Sequence, residues 1–178
     1  MKGRIAIITL TLGAALALAA CSREKTPQVT SRATPDQPTT PRSLPDNGFK
    51  AEITLDIPPA KFRAGQKESI PVRVKNVSDV MWYARGGEVN TNPDNRFYLA
   101  VGNRWLKAEG EQLVTNMDGR YGLPKNLKPG EEVEVPLQIT APQDVGEYIL
   151  EIDLVQEQVA WFSDKGSTTA KVKVAVVR

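Results

Sequence analysis

A chain of 178 residues, 40% hydrophobic and 25% charged, has room for one globular domain of ordinary size and little more. It contains no histidine and one cysteine, which excludes Ser-His-Asp and Cys-His catalysis, histidine-based zinc sites and any intramolecular disulfide. The formal charge of +2 falls to zero once Lys2 and Arg4 leave with the leader described next, so no concentrated basic surface for nucleic acid is expected.

Lys2 and Arg4 open the chain, an apolar stretch from Ile5 to Leu12 runs into Ala14–Ala17, and Leu18-Ala19-Ala20-Cys21 follow. This is the three-part layout of a secretory signal over residues 1–20, too short for a comfortable membrane span and closed by small residues. Leu18-Ala19-Ala20-Cys21 resembles the lipobox of bacterial lipoproteins. The resemblance implies cleavage before Cys21, a thioether-linked diacylglycerol on its sulfur and an acylated new amine. Each buried methylene contributes about 0.8 kcal/mol, and one chain holds only marginally, so two or three chains make a lasting anchor. By the same resemblance Ser22, in place of an aspartate, points to the outer membrane where a cell has two.

Residues 21–47, the lipidated cysteine and the Pro/Thr/Ser-rich stretch after it, bury too little apolar surface to offset their ordering entropy. They are expected to be a disordered tether.

From Gly48 to Arg178 the pattern changes to short alternating runs between turn residues. Ala51, Ile53, Leu55 and Ile57 form one, stopped by Pro58-Pro59, and Ile70, Val72 and Val74 the next. Met81–Tyr83, Phe97–Val101 and a weak Leu113-Val114 follow, then Val133–Ile139, Tyr148–Leu154 and Val172–Val176. Seven to eight strands with Pro/Gly turns predict an all-β, immunoglobulin-like antiparallel β-sandwich over residues 48–178, with a closed barrel as the competing architecture. Tyr148, opening the penultimate strand, is expected to bond back to the preceding loop, and Trp82 to be the buried aromatic of the third strand.

Asn76-Val-Ser-Asp-Val-Met-Trp82, Asn103-Arg-Trp105, Leu127-Lys-Pro129-Gly130-Glu131, Ala141-Pro142, Gly146-Glu-Tyr148 and Trp161-Phe162 occur in that order. Over about residues 62–178 they resemble two immunoglobulin-like groups. One is the four-tryptophan domain of autophagy receptors and its bacterial relatives. The other is the domain appended to some bacterial glycosyltransferases and surface-sugar proteins, where a stretch like Leu154-Val155-Gln156-Glu157 to Trp161-Phe162 recurs. The resemblance implies the sandwich fold and says little of function, and this chain has three tryptophans.

Trp105, Trp161, Phe162 and Tyr83 are the candidate ligand-binding residues, because sugar rings stack on flat exposed aromatic faces; their ordinary alternative is core packing, with Trp161-Phe162 plugging an end of the sandwich. Asn90, Asn92, Asp94 and Asn95 offer oxygens to a hard cation but lack the spacing of a calcium loop, so a long turn is the expectation and no metal or cofactor is assigned. Asp153, Glu157 and Asp164 fall within one strand-loop unit. Alternation puts Glu151 and Asp153 opposite Leu150 and Ile152, on what is expected to be a solvated face, and Lys171 and Lys173, like Arg73 and Lys75, are expected to be ordinary solvent-facing positions. The expectation is a non-catalytic module held in the cell envelope by its lipid anchor at Cys21, engaging an envelope protein or surface glycan and no nucleic acid. A carboxylate-dependent glycan-acting enzyme and a purely structural spacer are the alternatives.

Overall fold

The computed structural model describes residues 41–85 and 93–178. The leader, Cys21, the tether up to residue 40, and Asn90 and Asn92 lie outside the described residues. Residues 38–178 form one compact unit with a self-contained core.

Period-two alternation builds both layers. In β3 (Lys67–Asn76), Ile70, Val72 and Val74 turn inward while their neighbours face solvent, and β6 (Glu132–Thr140) repeats the pattern through Val135, Leu137 and Ile139. β3 pairs with β6 from Lys67↔Thr140 to Lys75↔Glu132, and β1 (Ala51–Thr54) pairs on its other side, giving a three-stranded sheet β1-β3-β6. The second sheet has the order β2-β9-β7-β4-β5, from β2 (Lys61–Arg63), β4 (Leu99–Lys107), β5 (Leu113–Gly122), β7 (Gly146–Gln156) and β9 (Ala170–Val177), with β8 (Ala160–Trp161) added at the end of β7. The chain is an immunoglobulin-like β-sandwich. β1 ends at Thr54 in one sheet, and the next strand after Pro58-Pro59 belongs to the other. One flank closes where β5 runs against β6: a Cβ on Gly119 would sit 2.1 Å from the Gln138 carbonyl oxygen, so a side chain is excluded there.

Two aromatic clusters fill the interior. Phe162 stands edge-on to Trp82 at 5.2 Å and to Phe49 at 5.1 Å between ring centres, and Trp105 packs the same way against Phe62 and Tyr148 at 6.2 and 6.3 Å. The Tyr148 hydroxyl donates to the Asp144 carbonyl at 2.9 Å, as expected from its place before the strand. Trp82 is fully buried and donates its indole N–H to the Gly48 carbonyl at 2.9 Å.

Several elements differ from the alternation pattern. Met81–Tyr83 is no strand; Trp82 makes a single bridge to Leu127, because this segment is held by side chains instead of a ladder. Buried Asn76 donates to the carbonyls of Val80 and Leu127 and accepts from the Ser78 N–H and hydroxyl, which uses all four of its hydrogen-bonding positions. Phe97 has φ 71° and precedes the strand, which begins at Leu99. β2 and β8 are too short to show a period, and β2 lies parallel to β9 in an otherwise antiparallel pair of sheets. Ile57 lies beyond β1 and is 78% exposed.

Order also begins before Gly48. The buried Gln156 amide receives the Leu44 N–H at 2.9 Å and donates to the carbonyls of Arg42 and Phe97, each at 2.9 Å, while Leu44 packs on the core and Asp46 pairs with Lys165. The domain therefore starts near Pro41, and a fragment beginning at residue 48 leaves Gln156 with unsatisfied buried groups. Together with the lost burial of Leu44 this amounts to about 2–3 kcal/mol. The 48–178 fragment is expected to melt roughly 5–10 °C below 38–178 in calorimetry; equal melting temperatures would show that residues 41–47 do not dock.

Candidate functional site

The outer face of the larger sheet, expected to be solvated, is covered. Glu151 is 8% exposed, Asp153 1% and Glu157 5%. The cover is the chain itself. After Gln156 a tight turn, with Gln158 at φ 60° and the Val159 N–H bonded to the Gln156 carbonyl at 3.0 Å, sends β8 back along β7 with Val155 opposite Trp161. Opposed residues in a ladder share a face, so Trp161 lies over the outer surface and Phe162, one residue on, turns into the core.

Trp161 comes down on Gly102 of β4, where a Cβ would lie 2.8 Å from its ring carbon Cη2. Glycine is required by that approach. The register places Arg120 of β5 and Asp153 of β7 on either side of Gly102, with Arg104 two residues further along β4 and opposite Glu151. The guanidinium carbons of Arg104 and Arg120 stand 4.3 and 4.8 Å from the Trp161 ring centre. Arg120 donates to a Glu157 carboxylate oxygen at 2.8 Å; Arg104 lies 3.7 Å from Glu151 and donates to the Ser163 hydroxyl at 3.4 Å.

Asp153 closes the arrangement. One carboxylate oxygen accepts the Leu154 N–H at 2.8 Å, and the other accepts the Ser163 hydroxyl at 2.6 Å and N–H at 3.2 Å, which pins the chain just past Phe162. Burial raises the pKa of Asp153, against the opposing pull of the Ser163 and Leu154 bonds and of Arg104. Burial likewise raises that of Glu157, opposed by Arg120. Asp153 has both oxygens committed to Leu154 and Ser163, whereas Glu157 is largely buried with Oε1 bonded to Arg120. Beside Trp161 the surface opens into a concavity of about 310 Å³, lined by Arg120, Val155 and the Gln156–Trp161 turn, with Asp164 at its edge.

The four sequence candidates are not brought together. Trp105 and Phe162 are fully buried in different clusters, so no ligand reaches their rings, which corrects the expectation for these two. Tyr83 is half-buried elsewhere and takes no part in the concavity; Trp161 alone borders it. Asn95 is buried and accepts a hydrogen bond from Arg85, and among the described residues no three histidine, cysteine or acidic side chains converge as metal ligands. Arg104, Arg120, Gly102 and Ser163 were missed, because only cross-strand register brings them beneath Trp161.

No protein-family model matches the chain, and no curated protein matches it. Among solved structures it resembles a CARDB domain from Pyrococcus furiosus, crystallised with di-metal ions, at 16% identity over 72% of this chain and 91% of that one, with a TM-score of 0.41. A sporulation control protein from Bacillus subtilis is similar at 16% identity over 72% and 49%, TM-score 0.38. A Listeria innocua β-glucosidase is similar at 15% over 72% and 16%, TM-score 0.39. The chain thus spans about half of the sporulation protein and a sixth of the glucosidase, and likeness at this level carries no argument about activity.

A carboxyl whose folded pKa is raised binds protons more readily folded than unfolded, so its contribution is greatest at low pH and is lost as pH rises from the ordinary carboxylate range through the raised value. Lowering pH from about 7 toward 5 is therefore expected to raise the melting temperature of the wild type relative to an Asp153→Asn/Glu157→Gln variant. Parallel pH profiles would show that these carboxyls titrate as ordinary ones.

Proposed function

We propose that the chain is a lipid-anchored, non-catalytic binding module of a bacterial cell envelope, fastened through Cys21 and engaging a surface glycan at the Trp161 concavity. One observation carries the choice of site. Trp161 is a half-exposed aromatic held rigidly by two guanidiniums, beside a concavity that mixes an apolar wall (Val155, Val159) with the polar side chains of Gln158 and Asp164. A sugar presents the same mixture, with apolar C–H faces and a hydroxyl rim, and the volume suits one or two rings. Against a glycan-acting enzyme stand the commitments of Asp153 and Glu157 to Ser163 and Arg120. The leader and lipobox support the anchor, and the absence of Asp after Cys21 supports the outer membrane in a two-membrane cell. Among the described residues no helix is long and apolar enough to cross a membrane, and lipid on Cys21 supplies the attachment in this proposal.

Two measurements test it. Mass spectrometry of the chain expressed in a bacterial host is expected to find a mature N-terminus at Cys21 carrying diacylglycerol and an amide-linked acyl chain; an unmodified Cys21 removes the anchor. For the site, Trp82 and Trp105 are sealed in the core, so a change in tryptophan emission when 38–178 is titrated with envelope oligosaccharides reports on Trp161. The change is expected to disappear in Trp161→Ala, with affinity about tenfold weaker, the effect of losing one aromatic contact of roughly 1–1.5 kcal/mol. Titrations identical in wild type and variant would eliminate this site.

A further inference from the structure

A second concavity lies at the other end of the larger sheet, where β2 runs parallel to β9. It measures about 430 Å³ and is lined by Lys61, Phe62, Arg63, Gln66, Val177 and Arg178. Phe62 is a core residue, so the alternation of β2 turns Lys61 and Arg63 outward, and the same argument on β9 turns Lys173 outward between inward-facing Val172 and Val174. Lys61, Arg63, Lys173 and Arg178 are all exposed, and none has an ion pair among the described residues. Arg73, Arg104, Arg120, Lys165 and Lys171 are paired with carboxylates elsewhere in the same domain.

The ordinary reason for cations on an edge strand is to discourage sheet-to-sheet pairing. That role asks only for charges along the free edge of β2. Here Arg178, past the end of β9, joins Lys61 and Arg63 around one hollow, whose wall is shaped by Gln66, fixed by the Arg63 N–H at 2.8 Å and by Glu68 at 2.6 Å, while Lys173 lies on the same outward side of β9 and outside the lining. Among the residues lining the hollow three carry a cation and none a carboxylate side chain; Glu68 bonds to Gln66 and Glu147 lies beside Ala175 in the register. Two of the three are arginines, whose planar forks match carboxylate and phosphate oxygens.

We infer that the hollow between β2 and β9 binds an anionic polysaccharide, one bearing uronate or phosphodiester groups. An extended polymer fits because the hollow is an open concavity, with Lys61 and Arg63 two residues apart on the exposed side of β2 and Arg178 beyond the end of β9, instead of an enclosed pocket. Position favours it too. The Gln156 amide that receives residues 42–44 is at one end of β7 and the hollow at the other, about 30 Å away for a strand of 11 residues at roughly 3.3 Å each. Residues 42–44 are therefore docked at the end of β7 away from the hollow.

The 38–178 unit would be titrated at low salt with polygalacturonate, with poly(glycerol phosphate), with neutral dextran and with phosphatidylglycerol vesicles. The expected result is binding to at least one of the two charged polymers and none to dextran. It should be weakened about tenfold by Lys61→Gln/Arg63→Gln, and also by raising salt from 50 to 300 mM, because exposed charges are screened within about 10 Å. Lys125→Gln/Lys128→Gln at the opposite end and Trp161→Phe are expected to leave it unchanged. Since Lys61, Arg63, Lys125 and Lys128 are exposed, the melting temperature of the two lysine/arginine variants should stay constant and serves as the folding control. No polymer binding, binding to vesicles alone, or equal loss in the Lys125/Lys128 variant would overturn the inference, and none of these results touches the Trp161 site.

Discussion

The turn that follows Gln156 is the constraint on which the outer face of the domain depends. A two-residue strand laid against the end of β7 sets Trp161 on one side of the sheet and Phe162 on the other, so one short segment both completes the core and lies over a face with five charged side chains. Neither half stands alone. Phe162 fills the space between Trp82 and Phe49, the Asp153 carboxylate holds Ser163 one residue on, and Trp161 one residue before it reaches Gly102.

That coupling explains why charges tolerate burial there. Moving a carboxylate out of water costs several kcal/mol unless hydrogen bonds replace the lost hydration. Asp153 receives three donors and Glu157 a guanidinium, and both arginines spread their remaining charge against an indole face. The result is a set of ionisable groups fixed by their surroundings. On this face Asp153 spends both oxygens on the Leu154 and Ser163 donors, and Glu157 spends one on Arg120. The surface that remains available is the indole edge and the turn beside it, which suits recognition.

Much of this fold was legible in the sequence where a strand is long and buried on one side. Ile70-Val72-Val74, Val133 to Ile139, Tyr148 to Leu154 and Val172-Val174-Val176 all lie in strands, and the Tyr148 hydroxyl bonds to the loop before it. Legibility ended where pairing is set by distant residues. β5 reads as polar because its course follows β4 and the approach of Gly119 to β6; Met81–Tyr83 reads as a strand because the Asn76 bonds that fold it otherwise are invisible to alternation. The outer face was misjudged for a related reason. Alternation separates the two sides of β7 correctly, but it assumes the side away from the core meets water, and β8 supplies a cover from six to eight residues further along the chain.

The same limitation governs where the domain begins. Composition marks residues up to 47 as tether, since proline, threonine and charge continue to that point. Arg42 and Leu44 are nonetheless drawn in by Gln156, and a side-chain amide with three partners, on a strand more than a hundred residues away, leaves no local trace in their own sequence. The junction so formed is adjacent to the turn that carries Trp161, because Gln156 begins that turn. A ligand in the Trp161 concavity would therefore sit beside the point where the chain enters the domain, and one in the β2–β9 hollow at the far end of β7. If both sites are occupied as proposed, the module bridges two envelope components along its long axis, with the stiffness of β7 fixing their separation.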